Sequence, residues 1–186
     1  MHQTTKKLEI GGGNKPKEGY LQMDMKKLPG IDIIGDAKDI PLKDSSLDEI
    51  YGHWVLEHFS YRDIVPLLKH WHSKLKPEGR VYMVTNNGEA HLNAYLMGVI
   101  DIHELNRMMF GTAQKWLPEE KATKLTPRHH YEEPDIEDLH KIFWTKVLVR
   151  HFFEPIFDNV EVKCTWKHRE DDGTFKCPGI IIKAYK

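Results

Sequence analysis

"LEIGGGNKPKEGYLQMD", residues 8–24, carries an apolar, strand-like run into three glycines and ends on Asp24, eleven positions after the last of them. A glycine cluster directly after a strand lets a ligand approach the backbone closely at the carboxyl edge of a sheet. The plain alternative is a tight turn, and a glycine motif alone does not choose between them. Spacing narrows the choice. Lys7 to Ile10 reads as a first strand and Tyr20 to Met23 as a second. The gap of about ten residues between them is the lower limit for a parallel crossover, so any helix there is a turn or two long. Pro16 and Gly19 oppose even that. A dinucleotide's pyrophosphate needs the aligned N–H groups of a full helix N-terminus, which disfavours NAD.

The 186 residues, 40% of them hydrophobic, suit one domain spanning 1–186. With 27 Lys and Arg against 28 Asp and Glu, the formal net charge is −1, so there is no global basic field to draw in nucleic acid or anionic lipid. No stretch has the length of a signal peptide's apolar core or a membrane helix, and the expectation is a soluble, cytoplasmic protein. Cys164 and Cys177 form neither a disulfide framework nor a C-x-x-C pair and read as inert thiols.

Strand-like and helical runs alternate from residue 7 to 87, the pattern of an α/β protein with a mostly parallel, Rossmann-like sheet and helices on both faces. Ile31 to Ile34 is a short third segment ending at Asp36, and Leu47 to Gly52 is another strand. Ile64, Leu67, Leu68, Trp71 and Leu75 recur at helical spacing, with Ser60 as N-cap and "KPEG" as the stop. Arg80 to Thr85 follows as a strand. Residues 88–134 then offer helical stretches without a strand and read as an insertion, or lid, over one end of the sheet. "DIEDLHKIFWTKVLVRHFF" predicts a helix with Ile136, Leu139, Ile142, Phe143, Val147 and Leu148 on its apolar face. "NVEVKCTW" and "GIIIKAYK" predict a terminal antiparallel hairpin.

A cofactor with a ribose for Asp24 and an amino-acid portion for the glycine loop suits the short crossover better than a dinucleotide; S-adenosylmethionine (SAM) has those parts. With "IDIIGDAKDIPLKDSSLDEIYGHWVLEH" and "LKPEGRVYMVTNN" downstream, the opening stretch resembles a class I SAM-dependent methyltransferase of the small branch with an abbreviated first crossover. The resemblance spans roughly residues 6 to 87. It implies that Glu9, Gly11 and Gly13 form the acidic-x-Gly-x-Gly motif, with Gly12 between them, beside the methionine part of SAM. It places Asp24 at the ribose, where a carboxylate accepts two hydroxyl hydrogen bonds. Asp36 and Ala37 take the adenine positions. His53 and Trp54 begin the segment next to the methyl donor.

His53, Glu57 and His58 in "HWVLEH" have a spacing that suits a metal or a proton-transfer pair, against the plainer reading that they shape the loop. No complete metal set is assigned. His129, His130 and Tyr131 fall in the insertion as candidate acceptor contacts. The expected activity is methyl transfer from SAM to a small-molecule or sugar-like acceptor, with His53 as candidate base. The alternatives are a non-catalytic SAM-binding protein and a metal-dependent hydrolase. Neither the acceptor nor the oligomeric state is legible.

Overall fold

The computed structural model describes residues 6–13, 16–110, 140–165 and 178–186, together with the backbone of 114–116 and 129–131. Five strands come first: β1 (Lys7–Ile10), β2 (Leu21–Asp24), β3 (Ile33–Ile34), β4 (Leu47–His53) and, after helix α1 (Ile64–Lys74), β5 (Leu75–Asn86). Helices α2 (Gly88–Leu96) and α3 (Ile102–Phe110) follow, then the short strands β6 (Gln114–Trp116) and β7 (His129–Tyr131). The described chain closes with α4 (Lys146–Phe153), β8 (Asn159–Cys164) and β9 (Gly179–Tyr185).

Seven strands form one sheet in the order β3-β2-β1-β4-β5-β9-β8. The first five run parallel, and β9 lies antiparallel between β5 and β8. This is the expected Rossmann-like sheet with its terminal antiparallel hairpin. Its two faces differ. In register across the sheet, Leu8, Ile50, Val81 and Ala184 stand side by side and belong to the buried core with Ile64, Leu67, Leu68 and Trp71 of α1 and Val149 and Phe153 of α4. The other face sets Glu9, Tyr51, Tyr82 and Lys183 in one row. There Tyr20, Tyr51 and Tyr82 form a ladder with ring centroids 5.8 and 5.5 Å apart, and Lys17 sits 4.7 Å over the Tyr51 ring. Buried Glu49 accepts from the Tyr20 hydroxyl and from Arg80 Nε at 2.6 Å. The described residues 25–32 and 35–46 cross over without the helices expected on both faces of the sheet, and among the described residues the tyrosines and Lys17 shield this face.

Several local expectations shift. Ser60 caps only a 3-10 turn, Tyr61–Asp63, without a side-chain bond, and α1 begins at Ile64, with Pro66 in its first turn, where the missing N–H has no intrahelical partner to lose. The helix does stop at "KPEG", but β5 already starts at Leu75 and runs through it. The predicted helix over 135–153 begins only at Lys146. Thr145 caps it, its hydroxyl accepting from Leu148 N at 3.1 Å. The preceding backbone is claimed from outside: Lys141 N donates to Glu57 O at 2.7 Å, Trp144 N to Asn86 Oδ1 at 3.3 Å, and Gly88 N to Trp144 O at 2.8 Å. Residues 140–145 are therefore a strap along the end of the sheet; Ile136 and Leu139 lie outside the described residues. The strand-free insertion is also corrected, since β6 and β7 pair antiparallel. Among the described residues no helix is long and apolar enough to cross a membrane.

Trp71 ties this core to the loop after β3. It is fully buried, and its indole N–H donates to Ala37 O at 2.9 Å. Trp71→Phe keeps most of the volume but orphans that carbonyl, so denaturant unfolding should show a loss of about 1–3 kcal/mol. Trp71→Ala, which opens a cavity as well, should cost about 3–5 kcal/mol. Equal stability of Trp71→Phe and the parent would show that the Ala37 bond contributes nothing.

Candidate functional site

At the carboxyl ends of β1, β2 and β4 the sheet opens into a cavity of about 360 Å³. Its floor comes from the glycine loop. Gly11 and Gly13 adopt φ of +68° and +56°, a region that glycine enters without the strain a Cβ brings. A Cβ on Gly11 would also stand 2.7 Å from Val55 Cγ2. The loop is held from three sides. Gly11 N donates to Met23 O at 2.9 Å, Lys17 N to Glu9 Oε2 at 2.5 Å, and Gly13 N to Asp24 Oδ2 at 3.3 Å. These bonds replace the missing crossover helix as the means of fixing the turn.

Asp24 ends β2 on the cavity wall, and its other oxygen accepts from Lys26 N at 2.9 Å. Asp36 and Ala37 follow β3 on the same wall; Asp36 Oδ1 accepts from Lys38 N at 2.9 Å and its Oδ2 lies 3.3 Å from Lys38 Nζ. Pairing with Asp36 raises the Lys38 pKa. Ile10 and Met23 contribute apolar lining to the same cavity. Trp54 and Val55 close the cavity from the β4 side, Trp54 at a φ of +57°, a conformation that costs a bulky residue about 1–3 kcal/mol.

Of the residues singled out in the sequence, Gly11, Gly13, Asp24, Asp36 and Ala37 converge on this cavity. Gly12 turns inward, where a Cβ would stand 2.6 Å from Gln22 Oε1 and 3.1 Å from Glu9 Oε2. Glu9 is buried and acts on the loop through Lys17 N. His53 is exposed at the end of β4, outside the cavity lining, with its ring 5.4 Å from that of Trp54. Partial burial nonetheless lowers its pKa below 6.5, Glu9 opposing and Lys17 reinforcing the shift. Met25, Leu28, Phe59 and Lys141 also line the cavity and were not singled out. The first two follow Asp24 directly enough for sequence to reach them; Lys141 arrives on the strap and carries no local signal.

The residues present fit SAM. Among the described residues other than its chain neighbours, none comes within 4 Å of the position a Gly13 Cβ would take, so that side of Gly13 is open toward an amino-acid group. Two carboxylates line the cavity as acceptors together with apolar side chains, a set that suits a molecule carrying hydroxyls and an amino-substituted ring.

Residues 7–83 match the family described as methyltransferase domain. Among solved structures, the chain is similar to a SAM-dependent methyltransferase from Methanosarcina mazei, at 16% identity over 99% of this chain and 93% of that one, with a TM-score of 0.56. It is similar to one from Thermotoga maritima at 17% identity over 97% and 82% of the two chains, with a TM-score of 0.60. For an S-adenosylmethionine-dependent methyltransferase from Mesorhizobium loti the values are 12%, 98% and 91%, and 0.57. These likenesses rest on fold. No curated protein matches the chain.

Proposed function

We propose that this chain, whose residues 7–83 match the methyltransferase-domain family, is a class I SAM-dependent methyltransferase that transfers the methyl group of SAM to a small-molecule or sugar-like acceptor. The observation that carries the reading is the convergence of Gly11, Gly13, Asp24, Asp36 and Ala37 on one cavity at the carboxyl end of the sheet. Asp24 accepts from the ribose hydroxyls, and two backbone amides already hold its carboxylate in place. The glycine loop lies along the methionine portion. Asp36 accepts from the adenine amine, and Ala37 leaves room for the ring. When bound, SAM supplies a sulfonium whose methyl is already activated. The chain's own task is then to align an acceptor and exclude water, with a base needed only where the acceptor carries a proton.

Calorimetry tests the first step. Asp24→Ala should weaken binding of SAM and of S-adenosylhomocysteine by roughly ten- to a hundredfold, the worth of a hydrogen bond to a charged group, and leave the fold intact. Unchanged affinity would remove Asp24 from the ribose.

The insertion 88–134 serves as the cover of the acceptor side, supported by α2 starting two residues after the end of β5. A ligand-coupled lid should gain hydrogen-exchange protection in α2 and α3 when S-adenosylhomocysteine binds. The same protection with and without ligand would mean that the segment does not close on it.

His53 is the candidate base, exposed beside Trp54, which lines the donor cavity. Burial lowers its pKa and so favours the neutral imidazole that a base must be; base function is lost as pH falls through that lowered pKa. With an acceptor in hand, His53→Asn should bind SAM normally, lose roughly 10² in turnover, and lose the acidic limb of the pH profile. A variant with the parent's turnover and profile would leave His53 no proton to take.

A further inference from the structure

Where the loop after β4 meets the strap, three side chains from distant parts of the chain point their ligating atoms at one place. Glu57 and His58 sit on the 3-10 turn Leu56–His58, and His140 opens the strap. One atom from each, a carboxylate oxygen and two ring nitrogens, all lie within 4.8 Å of one another. The two imidazoles meet edge to face with centroids 5.1 Å apart. We propose that Glu57, His58 and His140 form a binding site for a divalent transition cation of the zinc type, beside the SAM cavity and separate from it.

The carboxylate supplies an independent reason. Glu57 is wholly buried. Its Oε2 accepts from Thr85 Oγ1 at 2.9 Å, while Oε1 has no hydrogen-bond partner among the described residues. Burial pushes its pKa up to about 7. A carboxyl group withdrawn from water with half its acceptor capacity unused is stable only if it keeps its proton or gains a cation. Two imidazoles at the same spot supply nitrogen donors, the ligand type that joins a carboxylate around a zinc-like cation.

The surroundings are those of a supported ligand set. His140 Nδ1 lies 3.0 Å from Met108 O, and the tautomer that donates this bond carries its lone pair on Nε2. The Thr85 hydroxyl orients Glu57 in the same way. Glu57 O also accepts from Lys141 N, so the turn and the strap are already clamped at the backbone. Ligand atoms around a tetrahedral zinc stand roughly 3.3 Å apart, so closing the set needs side-chain shifts of at most about 1.5 Å. Two nitrogens and one oxygen suit zinc and its first-row neighbours better than magnesium or calcium, which prefer oxygen alone. Three protein ligands leave a fourth position open, and His58 is shared with the lining of the SAM cavity.

Chelator-stripped protein titrated with Zn²⁺ alone should take up one equivalent per chain, with a rise in thermal midpoint. Co²⁺ in its place should give the visible absorption of a four-coordinate N/O site. Glu57→Gln and His140→Gln should each weaken Zn²⁺ binding tenfold or more and abolish the cobalt spectrum, whereas His103→Gln on exposed α3 should change neither. His140→Gln decides the matter should Glu57→Gln fail to fold. Substoichiometric uptake by the parent, or affinity unaltered by His140→Gln, would overturn the site.

Discussion

The ten residues between β1 and β2 constrain everything else in this molecule. They are too few to fold a packing helix and too many for a hairpin, so the chain turns at Gly11 and Gly13 and returns past Pro16 to Gly19 with its amides bonded to groups of β1 and β2. Each bond that fixes the turn is borrowed from a neighbouring strand: Met23 O, Glu9 Oε2 and Asp24 Oδ2. The acidic residues thereby acquire two duties. Asp24 positions the loop and lines the cavity, and Glu9, buried below, organises the crossover that a helix would otherwise define.

The same economy explains the unequal faces of the sheet. α1 and α4 pack together on the face of Leu8, Ile50 and Val81, where the aliphatic rows and Trp71 build the core. Helix-free crossovers leave the opposite face to its own side chains. Tyrosines are suited to that position: each buries a ring against its neighbour and keeps a hydroxyl where a partner or water can reach it. Lys17 and Lys183 cover the rings while their ammonium groups stay accessible, and the Glu49–Arg80 pair closes the bottom of the ladder.

Legibility followed the range of the interactions. The strand-to-glycine transition and the positions of Asp24 and of Asp36–Ala37 on the cavity were readable because they are set within a few residues of a strand end. The alternation of Leu8 and Ile10, or of Ile180, Ile182 and Ala184, was readable for the same reason. The strap was not. Ile142, Phe143, Val147 and Leu148 do recur at helical spacing, yet Trp144 has its backbone bonded to Asn86 and Gly88, and no local pattern records bonds that span 56 to 58 residues. The convergence of His140 with Glu57 and His58 was hidden likewise, and "HWVLEH" pointed instead to His53, which the end of β4 turns toward solvent. Trp54 at positive φ was a further surprise, since nothing in a bulky residue's identity announces strain that its surroundings impose.

The place of β9 has a consequence for how the molecule assembles. β8 touches the sheet only through β9, yet β9 follows it in the chain and must slip between β8 and β5, pairing Tyr185 with Arg80 across more than a hundred residues. Until it does, β5 presents an open ladder of backbone donors and acceptors, and the apolar row of Val81 and Met83 lacks the neighbours Ile182 and Ala184. Closure of so long a loop is entropically late, so the folding chain passes through a stage with a bare interior edge. Such an edge is the kind that another chain can occupy by mistake, and the last strand to dock is the one that seals it.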